Sequence, residues 1–122
     1  MQRFLKPFII AVLTSSLAAT AAFAHAFLDR AIPGVGMTVS GSPSELRLAF
    51  TQGVVVAFSS VTVSADGGGA VPVSKPVNDP ADQQVIHVRL GHALKPGGYT
   101  VTWHVLSVDT HRTEGTYHFT VS

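Results

Sequence analysis

Residues 97–121 read GGYTVTWHVLSVDTHRTEGTYHFTV, and this stretch decides the fold. Apolar side chains occupy every second position from Tyr99 to Val105 and again from Tyr117 to Val121, with polar residues between them. An alternation with a period of two is typical of a β-strand that packs one face against a core and turns the other toward solvent. The stretch therefore predicts two neighbouring strands near the carboxyl terminus.

Shorter runs upstream show the same alternation, at residues 45–50, 61–65 and 86–90. Groups of glycine, proline, asparagine and aspartate, which favour turns, separate the runs at 33–34, 41–43, 66–69, 78–80 and 95–98. No stretch shows helical periodicity over three turns, and no segment repeats. The pattern predicts an all-β fold, a single Greek-key β-sandwich.

The first residues carry the signature of an export signal. Arg3 and Lys6 precede an uncharged, apolar stretch that ends in Ala22-Phe23-Ala24, the small-x-small pattern at which signal peptidase cuts. The apolar run is short for a membrane span, and no stop-transfer segment follows it. We therefore expect residues 1–24 to be a cleaved signal peptide and residues 25–122 to be the exported domain, without stable membrane insertion after cleavage. A retained anchor is the alternative.

The composition excludes several classes of function. None of the 122 residues is cysteine, so blue-copper electron transfer, thiol nucleophiles and iron–sulfur clusters are excluded, and stability must come from an apolar core. Eight lysines and arginines stand against seven aspartates and glutamates, and signal cleavage would remove two of the basic residues. Nucleic-acid binding needs a basic patch, so this near-neutral chain is not expected to bind nucleic acid.

Signal cleavage would expose a residue with metal-binding chemistry. His25 would carry a free α-amine, which can chelate one metal together with its own imidazole Nδ1, and a normal amine pKa near ~8 lets a metal displace the proton. Asp109 and His111 are two positions apart, and in an extended segment their side chains would point the same way. Nitrogen and oxygen donors in a tetragonal arrangement suit Cu(II). Zinc would bind the same atoms more weakly, and calcium and magnesium prefer oxygen.

Each part of this donor set also has an ordinary interpretation. A histidine after a signal peptide is usually incidental, and an Asp-x-His sequence is usually a surface turn. Spacing alone does not bring residue 25 to residues 109–111, although a sandwich permits it.

Beyond residue 24, nearly the whole chain resembles the CopC family of periplasmic copper-resistance proteins. The shared residues near the start are His25-Ala26-Phe27-Leu28, Pro33-Gly34, Pro43 and Leu46–Phe50. The most specific part is a W-x-x-x-S-x-D-x-H-x-x-x-G run from Trp103 to Gly115, which follows a Gly-Tyr strand.

The resemblance implies a fold, a ligand set and a role. The fold would be a small sandwich, described as cupredoxin-like or immunoglobulin-like. The ligands would be His25, Asp109 and His111, holding one Cu(II) per chain. The role would be that of a non-enzymatic copper carrier or reservoir in the periplasm, often beside a CopD-type inner-membrane copper importer.

Two departures from the family pattern refine this expectation. Some members have a methionine-rich loop for Cu(I), but Met37 is the only methionine after the signal, and residues 67–73 contain neither methionine nor histidine. We therefore expect a member that binds Cu(II) only. Some members place a glutamate near the metal, where this chain has the neutral Gln52.

The remaining histidines are interpreted as surface residues. His87, His104 and His118 fall on the polar phases of their strands, and His92 follows a glycine in a predicted turn. Because their strands are expected to be adjacent, His104 and His118 could be cross-strand neighbours that bind metal adventitiously. Trp103 falls on the core phase and is expected to pack there, with a second role in the wall around the copper site.

Two other functions remain open at this point. The chelate of terminal amine and imidazole, the histidine brace, also occurs in copper oxidases and monooxygenases that act on polysaccharides, but such enzymes resemble this chain only at His25. They need an open copper face with exposed aromatics, whereas the aromatic residues here mostly follow core phases. A non-metal immunoglobulin-like interaction module is the other alternative, and it predicts no tight copper binding.

Overall fold

The structure is a computed structural model that describes residues 26–122. The predicted signal peptide, residues 1–24, and the predicted ligand His25 lie outside the described residues. Within the described range, no helix is long and apolar enough to cross a membrane.

The described chain consists of β-strands and one short 3-10 turn. The strands are β1 (Leu28–Ile32), β2 (Thr38–Val39), β3 (Glu45–Phe50), β4 (Ser60–Ala65), β5 (Ala70–Val71), β6 (Val77–Asp79), β7 (Asp82–Arg89), β8 (Gly97–Leu106) and β9 (Arg112–Val121), and the 3-10 turn is Val56–Phe58. One sheet has the order β1-β3-β7-β6, and the other has the order β2-β9-β8-β4-β5. The chain crosses repeatedly between the two sheets, which confirms the predicted all-β Greek-key sandwich.

The core lies between the sheets and follows the alternation of the long strands. In β8, Tyr99, Val101, Trp103 and Val105 are buried, while the residues between them lie on the outer face. Phe50 from the other sheet packs edge-on against Trp103, with the ring centroids 5.1 Å apart. Aromatic pairs of this kind add about 0.5–1.5 kcal/mol beyond the burial of their area. The predicted core position of Trp103 is confirmed.

A glycine faces this tryptophan across the hairpin. Trp103 and Gly115 are partners in the antiparallel ladder of β8 and β9. A Cβ atom at Gly115 would lie 2.5 Å from Cζ2 and 2.8 Å from Cε2 of the indole, closer than non-bonded carbons approach. The glycine that ends the W…G run therefore makes room for the indole.

The register of the same hairpin corrects one prediction about the histidines. His104 pairs with Glu114, and His118 pairs with Thr100. The two histidines are therefore four residues apart along the ladder, roughly 13 Å at the usual rise of a strand, and are not cross-strand neighbours. Each lies near a different carboxylate: His104 Nε2 is 3.0 Å from an oxygen of Glu114, and His118 Nε2 is 3.7 Å from an oxygen of Asp66.

His87 lies on the outer face of the other sheet, but it is half-buried rather than open to solvent. Its Nε2 lies 2.8 Å from Asp79 Oδ1 and its Nδ1 lies 3.0 Å from Glu45 Oε2, so one imidazole connects β6, β7 and β3. The hydrogen bond to Asp79 is the main cause that raises the pKa of His87, and burial opposes it. The same hydrogen bond lowers the pKa of Asp79.

Candidate metal centre

A tight turn of residues 107–111 joins β8 to β9 and forms one end of the sandwich. Thr110 N donates to Ser107 O at 2.8 Å, and Ser107 N donates to His111 O at 2.9 Å. Thr110 has a φ of 72°, in the left-handed region that a threonine rarely adopts. Strained residues of this kind are often found at functional sites.

The turn brings the two predicted side-chain ligands together. His111 Nδ1 lies 3.3 Å from Asp109 Oδ1, with the His111 side chain 56 % exposed and the Asp109 side chain 28 % exposed. The expected reason for this proximity, an extended segment, is wrong. The two side chains meet because the backbone turns at Thr110.

A buried serine holds the Asp109 carboxylate. Ser107, which is fully buried, donates a hydrogen bond from Oγ to Asp109 Oδ1. The backbone N–H of His111 donates to the same oxygen at 3.3 Å. These interactions, with the Ser107 hydroxyl as the largest contribution, hold the pKa of Asp109 below its usual range. The group is therefore a carboxylate, as a metal ligand must be.

The second oxygen of this carboxylate is buried without a partner. Among the described residues, three buried side-chain atoms make no hydrogen bond: Trp103 Nε1, Tyr117 Oη and Asp109 Oδ2. Only the last belongs to a charged group. An unpaired buried polar atom costs about 1–3 kcal/mol, and more when it is charged, so such an atom calls for a partner. A cation bound beside the His111 imidazole would provide one, and the residues present therefore fit a metal.

The start of the described chain is fixed next to this turn. Ala26 is fully buried, and its carbonyl accepts a hydrogen bond from Thr113 Oγ1, two residues beyond His111. Phe27 N donates to Thr51 Oγ1 at 3.0 Å, and Thr51 N donates to Phe27 O at 2.9 Å. Residue 26, to which His25 is covalently attached, is thus anchored beside the strand that carries the Asp-x-His sequence.

Residues 26–122 supply only part of a metal site by themselves. No group of three or more histidine, aspartate and glutamate side chains within this range is arranged to hold a metal. Asp109 and His111 are the two predicted ligands that the range contains, and the third, His25, precedes it.

Two residues that support the site, Ser107 and Thr113, have no role that the sequence alone predicts. Ser107 continues the buried phase of Val101, Trp103 and Val105, so a serine at a core position was a signal in the sequence. Thr113 gives no such signal, because its role depends on which segment lies beside β9.

Comparisons with known proteins relate the chain to copper-resistance proteins. Residues 28–122 match the family described as "CopC domain". Protein YobA of Escherichia coli strain K12 is 36 % identical over 114 residues, which is 93 % of this chain and 92 % of that protein. Copper resistance protein C of Escherichia coli is 31 % identical over 120 residues, 91 % of this chain and 94 % of the relative.

A solved structure supports the same grouping. The crystal structure of CopC from Methylosinus trichosporium OB3b superimposes with a TM-score of 0.75 at 33 % identity, covering 80 % of this chain and 94 % of that one.

Proposed function

Since the chain belongs to the CopC family of copper-binding resistance proteins, which are not enzymes, we propose that it binds one Cu(II) ion in the periplasm and carries or stores it. The observation that supports the proposal best is the buried, unpaired Oδ2 of the Asp109 carboxylate, whose other oxygen, Oδ1, lies 3.3 Å from the His111 imidazole. Copper is the cargo of such a protein, and the protein provides the donor atoms.

The proposed ligands are the α-amine and imidazole of His25, the carboxylate of Asp109 and the imidazole of His111. This assignment includes the proposal that residues 1–24 are removed by signal peptidase. Consecutive Cα atoms are about 3.8 Å apart, and strand residues two apart are separated by about 7 Å. The Ala26 carbonyl accepts a hydrogen bond from Thr113 Oγ1, two residues beyond His111, so the residue attached to Ala26 is proposed as a ligand of the same metal.

This donor set favours Cu(II) over other metals. Three nitrogens and one carboxylate oxygen are mixed donors of the kind that tetragonal Cu(II) accepts, and Cu(II) leads the affinity order of the divalent first-row metals. Cu(I) prefers thioether sulfur, and the only methionine of residues 26–122 is distant from the turn. The Met37 carbonyl accepts a hydrogen bond from Thr120 N, at the opposite end of β9 from the turn. We therefore propose a site specific for Cu(II).

The proposed partner is a CopD-type copper transporter of the inner membrane. Phe27, 50 % exposed, and Val108, 45 % exposed, are large apolar side chains. Val108 lies inside the turn, and its N–H donates a hydrogen bond to the carbonyl of Gly53, shortly after the end of β3. Phe27 is hydrogen-bonded to Thr51, the first residue after the same strand. These two exposed apolar side chains lie close to proposed copper ligands in the sequence, and we propose that they contact the transporter.

A competitive titration with Cu(II) on the protein that begins at His25 tests the proposal. Wild type should bind one equivalent tightly, Asp109→Ala and His111→Gln should each bind far more weakly, and His118→Gln should match wild type. His118 is a suitable control because it is an exposed histidine that also lies near a carboxylate, Asp66, at 3.7 Å. Equal affinities for the Asp109 and His111 variants and wild type would place copper elsewhere.

A further inference from the structure

Ser107 is the one polar residue that is buried among the residues the structure describes. It directly follows β8 and continues the buried phase of that strand, whose preceding residues are apolar. Burying a hydroxyl is unfavourable unless it forms a hydrogen bond, so packing alone would favour a residue such as valine here. The serine therefore needs an explanation in terms of its partner.

The hydroxyl has one proton, and the geometry indicates where it goes. Ser107 Oγ makes its shortest contact with Asp109 Oδ1, whereas the His111 carbonyl lies 3.2 Å away and already accepts the Ser107 backbone N–H. A hydrogen bond to a carboxylate is also stronger than one to a neutral carbonyl. The hydroxyl thus donates to the carboxylate.

The two oxygens of Asp109 consequently have different environments. Oδ1 receives the Ser107 hydroxyl and the His111 backbone N–H and also lies 3.3 Å from His111 Nδ1, while Oδ2 has no hydrogen-bond partner among the described residues. Two donors on one oxygen favour a single orientation of the carboxylate. One oxygen is held by the protein, and the other is left to a ligand.

We infer that Ser107 is a positioning residue, which fixes the Asp109 carboxylate so that Oδ2 is offered to the metal. The inference rests on the proposed function, because it assigns a role toward the same copper ion. Groups that orient a ligand from outside the coordination sphere typically change metal affinity by 10- to 100-fold when they are removed. Ser107→Ala should therefore weaken Cu(II) binding by roughly tenfold or more.

Ser59 provides a matched control on the same end of the sandwich. Its hydroxyl donates to Val55 O at 2.8 Å and accepts from Leu106 N at 3.0 Å. Leu106 is the residue just before Ser107. Ser59→Ala thus removes a comparable, partly buried pair of hydrogen bonds without touching Asp109 or His111. Both alanine variants should lower the melting temperature of the metal-free protein, but only Ser107→Ala should weaken copper binding and alter the EPR spectrum of bound Cu(II).

A double-mutant cycle separates positioning from general loosening of the turn. If Ser107 acts through the Asp109 carboxylate, Ser107→Ala should have almost no further effect on copper affinity in an Asp109→Ala background. Ser107→Thr, which retains the hydroxyl, should recover most of the affinity. Additive losses in the cycle, or wild-type affinity for Ser107→Ala, would overturn the inference. If wild type itself fails to bind Cu(II), the proposed function fails instead, so the two failures are distinguishable.

Discussion

Replacing Thr113 by valine removes the hydroxyl that anchors the start of the domain beside the metal turn. Valine keeps the branched side chain, so the change is confined to one hydrogen bond. The acceptor, the Ala26 carbonyl, belongs to a fully buried residue and would lose this donor. Leaving a buried carbonyl unsatisfied costs about 1–3 kcal/mol. For a domain of this size, we expect the melting temperature of the metal-free protein to fall by roughly 5–20 °C.

The same change should also weaken copper binding. Both hydrogen bonds between Phe27 and Thr51 remain, so the chain start is loosened and not released. If copper is held by the residue before Ala26, binding must restore the lost anchoring. Restoring the anchoring would take up to the same amount, about 1–3 kcal/mol, from the binding free energy. Since about 1.4 kcal/mol corresponds to a factor of ten in affinity, the affinity should fall by at most about 5- to 150-fold.

Thermal melts and competitive Cu(II) titrations on three proteins test this reasoning. Thr116→Val is the control, because Thr116 is an exposed threonine on the same strand. The control should resemble wild type in both assays, and Thr113→Val should be impaired in both. A Thr113→Val protein that is less stable but binds copper as tightly as wild type would refute the idea that the chain start is part of the site.

Three further predictions concern pH, packing and metal removal. Asp79, and then Glu45, raise the pKa of His87, so its stabilisation is complete below the ordinary pKa of 6.5 and is lost as pH rises through the raised value. The difference in melting temperature between wild type and His87→Gln should thus be largest near about pH 5.5 and smallest above about pH 8.5. A difference that does not change with pH would contradict this. Gly115→Ala should lower the free energy of unfolding by about 1–3 kcal/mol, because the new methyl group displaces the Trp103 indole. The change should appear as a lower melting temperature and altered tryptophan fluorescence, and an unchanged melting temperature would refute it. Free Cu(II) at about 100 times its Kd should raise the melting temperature by roughly 10–20 °C, and excess EDTA should reverse this; no shift would argue against binding to the folded state.

The long strands could be predicted from the sequence, and the short ones could not. β8 and β9 contain clear alternating runs, from Tyr99 to Val105 and from Tyr117 to Val121, which favour strands. β2 and β5 have two residues each at the edges of their sheet, where no periodicity can develop and tertiary contacts decide the pairing. The strand partners of His104 and His118 depend on the length of the turn. Five residues separate Leu106 from its partner Arg112, and this first pair determines all the other pairs of β8 and β9.

The candidate site was predictable in its residues more than in its geometry. The chemistry of Asp109 and His111 indicated a metal, and the structure does bring them together. The left-handed Thr110 that achieves this is unusual for a threonine, so local preference gave no sign of it. The contacts of Ser107 and Thr113 likewise depend on burial and on the neighbouring chain start, which only the folded structure defines.

The central claim is that the free amine of His25 binds Cu(II) together with Asp109 and His111. The most direct test compares two proteins by Cu(II) EPR and competitive titration: one begins at His25, and the other carries a single additional glycine before it. The extra residue converts the amine into an amide, a poor ligand, and leaves residues 26–122 unchanged. We predict a nitrogen-rich tetragonal spectrum with tight one-to-one binding for the first protein and loss of most of that affinity for the second. Equal affinity and identical spectra for the two proteins would contradict the claim.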